Sequence, residues 1–238
     1  MRRIVTTLTA LAIAVALLAV VALTGVPAAD NGKREAGEGK YADLTALWWQ
    51  WALGQPFVDV GGTNTNPVQD STGEYAAAGQ ENGIGPANKF FFLAGTWGGD
   101  AERTVTVPKG KSLFFPVIDW DMDNATLPPT NFTVPELRAV AKANIDLTIS
   151  TYARLDGVPL EIFRTKSPTF AYTLPAENTV YDYFYGPDWS VFDGMTIPAV
   201  SDGYWVYIPP LAPGDYVLEF GSSHAWFSVN VIYHLTIE

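Results

Sequence analysis

Cysteine is absent from the 238 residues. Its absence excludes disulfides, thiolate nucleophiles, cysteine-bound zinc and a lipidated N-terminal cysteine. Basic residues are scarce: 14 Lys and Arg stand against 25 Asp and Glu, for a formal net charge of -11. Such a chain has no electrostatic footprint for nucleic acid, so no nucleic-acid partner is expected. Histidine occurs only at His224 and His234, without the spacing of a zinc site. Gly221-Ser222-Ser223-His224 lacks the glycine that follows the serine of a nucleophile elbow. No catalytic residue is therefore assigned, and both histidines are expected to be structural. Charged residues make up only 16% against 48% hydrophobic, which excludes a disordered chain.

Long apolar runs are missing except at the start. Arg2 and Arg3 precede a largely apolar stretch from Ile4 to Leu23, and Val26-Pro27-Ala28 offers small residues for cleavage. That is the three-part layout of a secretory signal, although about 20 apolar residues also suffice for an uncleaved anchor. Either way residues 1–28 are expected to export the rest. The destination is then secreted, periplasmic or cell-surface. Residues 29–40 are polar and read as a flexible linker. Residues 41–238 are expected to form a single domain stabilised by packing alone. Asn124-Ala125-Thr126 and Asn131-Phe132-Thr133 are formal glycosylation sequons, expected by chance in a Thr-rich loop.

Within the domain, Tyr41, Leu44, Leu47, Trp48 and Trp51 recur at helical spacing until Gly54 and Pro56. Trp48 and Trp51 should enter the body, with Trp49 on the flank. Residues 57–86 are irregular, which is uncommon unless the segment is functional or packed on itself. Residues 111–118 are apolar on both faces and predict a central, doubly covered strand. Thr133-Val134-Pro135-Glu136 is a capping box that opens a second helix. Residues 147–155 alternate, with Leu147, Ile149, Thr151, Ala153 and Leu155 inward. Asp156-Gly157 is a hairpin signal. Further strands are expected at 170–174, 180–185 and 204–208, with a C-terminal hairpin around Pro213-Gly214. The fold class is all-β: a β-sandwich, jelly-roll or immunoglobulin-like, with two short accessory helices.

Several stretches combine into a specific pattern. They are Trp48-Trp49-Gln50-Trp51, Asn66-Pro67 with Asp70 and Thr72-Gly73, Gln80 with Gly83, Phe92-Leu93-Ala94-Gly95, Arg103, Val107-Pro108, and Gly110-Lys111 with Leu113-Phe114-Phe115-Pro116. Together with Phe220-Gly221 and Tyr233-His234-Leu235-Thr236, they resemble a group of exported microbial β-rich proteins of unknown function. The resemblance covers most of residues 41–238 and implies no activity. It also implies that a disulfide between cysteines near Ala76 and Val105 has been lost here, leaving the rigidity of 57–86 open.

Three constellations could carry chemistry. Asp119, Asp121 and Asp123 with Asn124 begin a loop after the central strand, where a calcium ion would relieve their repulsion. Asn124 stands where a helix-loop-helix calcium site needs glycine, and Thr130 where it needs glutamate, so that motif is rejected. The same acids, with Asp182, Asp188, Asp193 and Glu219, could serve a carboxylate-dependent hydrolase, but nothing pairs them. Tyr181, Tyr183 and Tyr185 fall on one strand face, followed by Trp189, Trp205 and Tyr207. They could stack on a glycan, or cover the second face of the sandwich. Asp70, Gln80, Arg103 and Lys111 form a polar cluster expected to pin the long loop to the sheet. Three functions follow: a glycan-binding or surface module, a carboxylate-dependent hydrolase with or without calcium, or a structural component of the cell envelope.

Overall fold

A computed structural model describes residues 41–81, 83–126 and 131–238. The expected leader (1–28), the linker (29–40) and Thr130 lie outside the described residues. The elements run in the order α1 (Ala42–Leu53), β1 (Asp59–Val60), β2 (Thr63–Asn64), β3 (Phe90–Phe92), β4 (Gly99–Val107), β5 (Ser112–Asp123) and α2 (Val134–Ile145). Then follow β6 (Thr148–Leu155), β7 (Val158–Pro159), β8 (Phe163–Lys166), β9 (Phe170–Thr173), α3 (Val180–Tyr185), β10 (Thr196–Ile208), β11 (Gly214–His224) and β12 (Ser228–Ile237). Among the described residues no helix is long and apolar enough to cross a membrane.

The fold is the expected all-β sandwich. One sheet has the order β3-β5-β10-β8, with β9 also on β10; the other runs β4-β12-β11-β6-β7. The apolar alternation dictates how they face each other. Leu113, Phe115 and Val117 of β5 and Val206 and Ile208 of β10 meet Phe220, Val231, Tyr233 and Leu235 of the second sheet. The opposite face of the first sheet carries Phe92, Phe114 and Trp205, which α1 covers with Trp48, Trp49 and Trp51. The strand at 111–118 is thus covered twice, as its two-sided apolarity requires. Each large side chain removed from water here contributes about 2 kcal/mol. Trp49, expected on the flank, is only 3% exposed, because Trp97 packs beside it at 6.3 Å between ring centroids. Asp156 and Gly157 take positive φ values of 49° and 76°, as the hairpin turn demands. In β6 the inward alternation holds for Ala153 but fails for Ile149, which is 71% exposed near the strand's outer end.

The long loop is held from inside. Arg103, 1% exposed, commits all five of its N–H donors. Its Nε donates to Asp70 O at 2.7 Å, Nη1 to Ala94 O and Tyr233 Oη, and Nη2 to Val68 O and Gly95 O. The Asp70 carboxylate accepts from the backbone N–H groups of Thr72, Gly73 and Tyr75. Gln80 bonds Phe92 through both ends of its amide, at 2.9 and 2.8 Å, supplying a partner to β3 as a strand would. Asn66 donates to Ala52 O and Gln55 O at the end of α1. Lys111 donates to Asn88 O. Ala76 and Val105 share the inter-sheet core, so loop and strand meet there through packing.

Arg103→Lys should cost about 3 kcal/mol of unfolding free energy, since one ammonium cannot serve five fixed acceptors. Urea denaturation measures this, and a loss below about 1 kcal/mol would mean the guanidinium is not the clamp.

Candidate acidic-aromatic site

The site is built by a phase shift in one strand. Up to Pro116, even-numbered residues of β5 face the helix-covered side and odd-numbered ones the other sheet. Against β10, Trp205 pairs with Pro116 but Tyr204 pairs with Ile118, so Val117 is an extra residue. A bulge of one residue exchanges the two faces for everything beyond it. Met122 consequently packs on Leu137 and Ala141 of α2. Asp119, Asp121 and Asp123 turn instead to the aromatic side. Their register partners on β10 are Gly203, Ser201 and Ala199, small residues that leave room above the carboxylates.

Asp123 is the most engaged of the row. Its Oδ2 accepts from Tyr172 Oη at 2.5 Å and Tyr181 Oη at 2.7 Å, and Oδ1 accepts from Ala125 N. Burial, and then the charge of Asp121, push Asp119 well above the ordinary carboxylate range. Burial, and then Asp123, do the same to Asp121. Burial also raises Asp123, against the opposing pull of the two tyrosine hydroxyls. The hydroxyls of Tyr172 and Tyr181 are raised by burial and by the neighbouring carboxylates. No ion pair among the described residues reaches the row. Each of the three aspartates nevertheless remains partly exposed. The row therefore sits deep but open to water.

The walls are aromatic. Tyr181 and Tyr185 lie one helical turn apart in α3 and stack on Trp189, with ring centroids 5.6 and 4.4 Å away. Tyr185 also stacks on Tyr181, whose hydroxyl donates to Asp123, with ring centroids 6.3 Å apart; burial and then the charges of Asp121 and Asp123 raise the Tyr185 hydroxyl. At the other end Gly203 is required. A Cβ there would lie 2.6 Å from Asp119 Cβ and 2.8 Å from Trp205 Nε1. Asp119 and the Trp205 indole N–H are therefore neighbours across this glycine. Asp119 Oδ2 and the Nε1 atoms of Trp49, Trp97 and Trp205 are sealed from solvent without a hydrogen-bond partner. Buried polar groups are rarely left so. Trp48 links them, edge-on to Trp49 and to Trp205.

The sequence expectations divide here. Residues 119–123 end a strand rather than begin a loop. Alternate residues on a strand are about 6.7 Å apart, and among the described residues no three His, Asp or Glu come close enough to hold a metal ion. The Asn124 amide is engaged with Phe132 N and O. The set Asp119, Asp121, Asp123 and Asn124 thus does not fit calcium. Residues 180–185 are helix, not strand, because Thr179 and Asp182 form a reciprocal capping box. Tyr181, Tyr183 and Tyr185 therefore do not share a flat face: Tyr183 turns toward Phe57, 5.5 Å away. Trp205 is fully buried and stacks on Phe114 at 5.1 Å, so its ring cannot form an exposed platform. Tyr207 packs on Tyr41. Asp182 is occupied by Thr179 and Ser190. His224 is buried, with Nε2 donating to Asn144 O at 2.8 Å, and His234 meets Glu102 on the surface. The residues missed in the sequence are Tyr172, Trp49, Trp97 and Gly203. A glycine inside an apolar strand was the available signal for the last.

No protein-family model, curated protein or solved structure matches the chain.

The raised carboxylates fix a pH dependence. A group with a higher pKa folded than unfolded stabilises the fold while protonated, and that contribution is lost as pH rises through the folded value. Asp119→Asn should therefore raise the urea midpoint at neutral pH. Its advantage over the parent should shrink as pH falls toward about 4, the ordinary carboxylate range. An advantage independent of pH would show that Asp119 is not raised.

Proposed function

We propose that residues 41–238 form an exported binding module whose ligand is a carbohydrate. The observation that supports this reading most strongly is the partly exposed row Asp119–Asp121–Asp123 set against the Tyr181–Tyr185–Trp189 stack. A sugar offers both hydroxyl donors and acceptors, and its C–H faces lie flat on aromatic rings. The acids that face no cation suit hydroxyls, which can donate to a carboxylate without needing a counter-charge. Export rests on the N-terminal sequence pattern, and kinship with the exported microbial group is part of the same proposal.

A second reading has its own support. Asp121 and Asp123 are neighbouring carboxyls; burial raises both, and the charge of Asp123 raises Asp121 further. That is the condition for a general acid at neutral pH. On this reading the site is a glycosidase, and Asp121→Asn abolishes turnover. An envelope protein without a small ligand is the remaining alternative, and self-assembly of the chain is its signature.

Retention on a panel of immobilised polysaccharides tests the main reading. Trp189→Ala should weaken retention about tenfold, the equivalent of about 1.4 kcal/mol from one stacked ring. Equal retention of parent and variant, or none on any polysaccharide, would remove the carbohydrate reading. Release of reducing sugar from a retained polymer would convert it to the hydrolase.

A further inference from the structure

The two most buried carboxylates among the described residues are compensated from within. Asp70 accepts from three backbone N–H groups, and Asp202 is gripped by Arg164. The row Asp119–Asp121–Asp123 has no such compensation, and Asp121 at its centre has the least. Its carboxyl is partly exposed. What acts on it is burial, the charge of Asp123 and its own backbone N–H; no ion pair among the described residues includes it. Its register partner Ser201 points to the same side of the sheet, with Cβ atoms about 5 Å apart. Ser201 is 2% exposed and its Oγ has no hydrogen-bond partner. A hydroxyl donor thus lies across from Asp121, an arrangement that suits the ionised carboxylate. Hydroxyl ligands satisfy the oxygens of such a row but leave its repulsion in place. A cation removes the repulsion, and the spacing that fails a metal ion does not fail an ammonium, which needs one carboxylate and not several. The rings of Tyr181, Tyr185 and Trp189 stand beside the row, Tyr181 through its hydroxyl on Asp123. Their faces attract a cation as readily as a sugar's C–H groups.

We infer that the sugar bound at this site carries a protonated amine, a 2-amino-2-deoxy unit whose ammonium lies on Asp121 while its ring lies on the aromatic stack. The inference rests on the carbohydrate reading above and names the substrate class within it. It also fixes a proton linkage. The titratable groups that face Asp121 are Asp119, Asp123 and the hydroxyls of Tyr172, Tyr181 and Tyr185. Burial holds the three acids above the ordinary carboxylate range. An arriving ammonium favours their ionised form and expels a proton. Affinity therefore rises with pH until the amine itself is neutral.

Calorimetric titration of the full chain with three β-1,4-linked tetrasaccharides provides the test. Cellotetraose, N-acetylchitotetraose and chitotetraose differ only in a hydroxyl, an acetamide or an ammonium at C2. Chitotetraose should bind at least tenfold tighter than the other two, a gain of about 1.4 kcal/mol. Asp121→Asn should reduce that preference to below about twofold. A preference that survives Asp121→Asn comes from the net negative charge of the chain and overturns the inference. The parent alone gives a second readout, which holds even if the variant does not fold. Chitotetraose should release protons, seen as a heat that differs between phosphate and Tris buffers at one pH, and cellotetraose should release none. Equal affinity for the three sugars, or no proton release with chitotetraose, overturns the amine and leaves the carbohydrate reading standing. So does retention on amine-free polysaccharides when none of the three tetrasaccharides binds. No binding of any sugar together with no retention on any polysaccharide overturns both.

Discussion

One extra residue in β5 decides which way the acids point. Without the bulge at Val117, strand alternation would place Asp119, Asp121 and Asp123 in phase with Leu113, Phe115 and Val117. Three carboxyls would then enter the core between the sheets, at a desolvation cost of several kcal/mol each. With it, Trp120 and Met122 take the inner positions. Met122 packs under α2, and Trp120 meets His224 and Phe227 at 6.0 and 6.4 Å. The acids reach a side where tyrosine hydroxyls can donate to them. The bulge serves sandwich packing and site construction at once, so a substitution that removed it would be felt in both.

The site also depends on a frame that takes no part in it. Asp70, Gln80 and Arg103 tie an irregular segment to β3, β4 and β12, doing with hydrogen bonds what a regular strand does with its ladder. That segment carries Phe57, and the turn after β3 carries Trp97. Those two rings pack at 6.3 Å and meet Phe184 of α3. The position of α3, and hence of Tyr181 and Tyr185, is set through this chain of contacts from a buried guanidinium. α2 is anchored separately. Arg164 grips the buried Asp202 through Nε and Nη2, and reaches Asp146 beyond the helix end at 2.7 Å.

The frame was largely legible in the sequence, because its signals are local. A two-sided apolar strand, an Asp-Gly turn, a capping box at Thr133 and the alternation of β12 each specify their own geometry. The pinning role of Asp70, Gln80 and Arg103 followed from the need of loop backbone for partners. The site was legible only in composition. The acids and tyrosines were named, but their arrangement depends on a bulge and a helix that periodicity does not reveal. Val180–Tyr185 alternates as a strand would, and the cap at Thr179 with Asp182 overrides it. Trp205 shows the other limit. An aromatic on a strand face stacks on a ligand or on a neighbour, and here the presence of Trp48 and Phe114 decides.

Energetics ties the two halves together. Among the described residues several buried polar groups have no partner, including Asp119 Oδ2 and the indole nitrogens of Trp49, Trp97 and Trp205. Each such group costs roughly 1–3 kcal/mol, against a net stability of about 5–15 kcal/mol for a typical domain. The core on the helix side offsets this with tryptophan, tyrosine and phenylalanine packed ring against ring. An apolar replacement at Asp119 would remove part of the cost without disturbing the sandwich. A fold that keeps the acid beside an unmet indole N–H retains polar capacity that its own packing does not use. A ligand of the proposed kind would meet the exposed parts of the carboxylates and not these sealed atoms, so their cost stays within the fold.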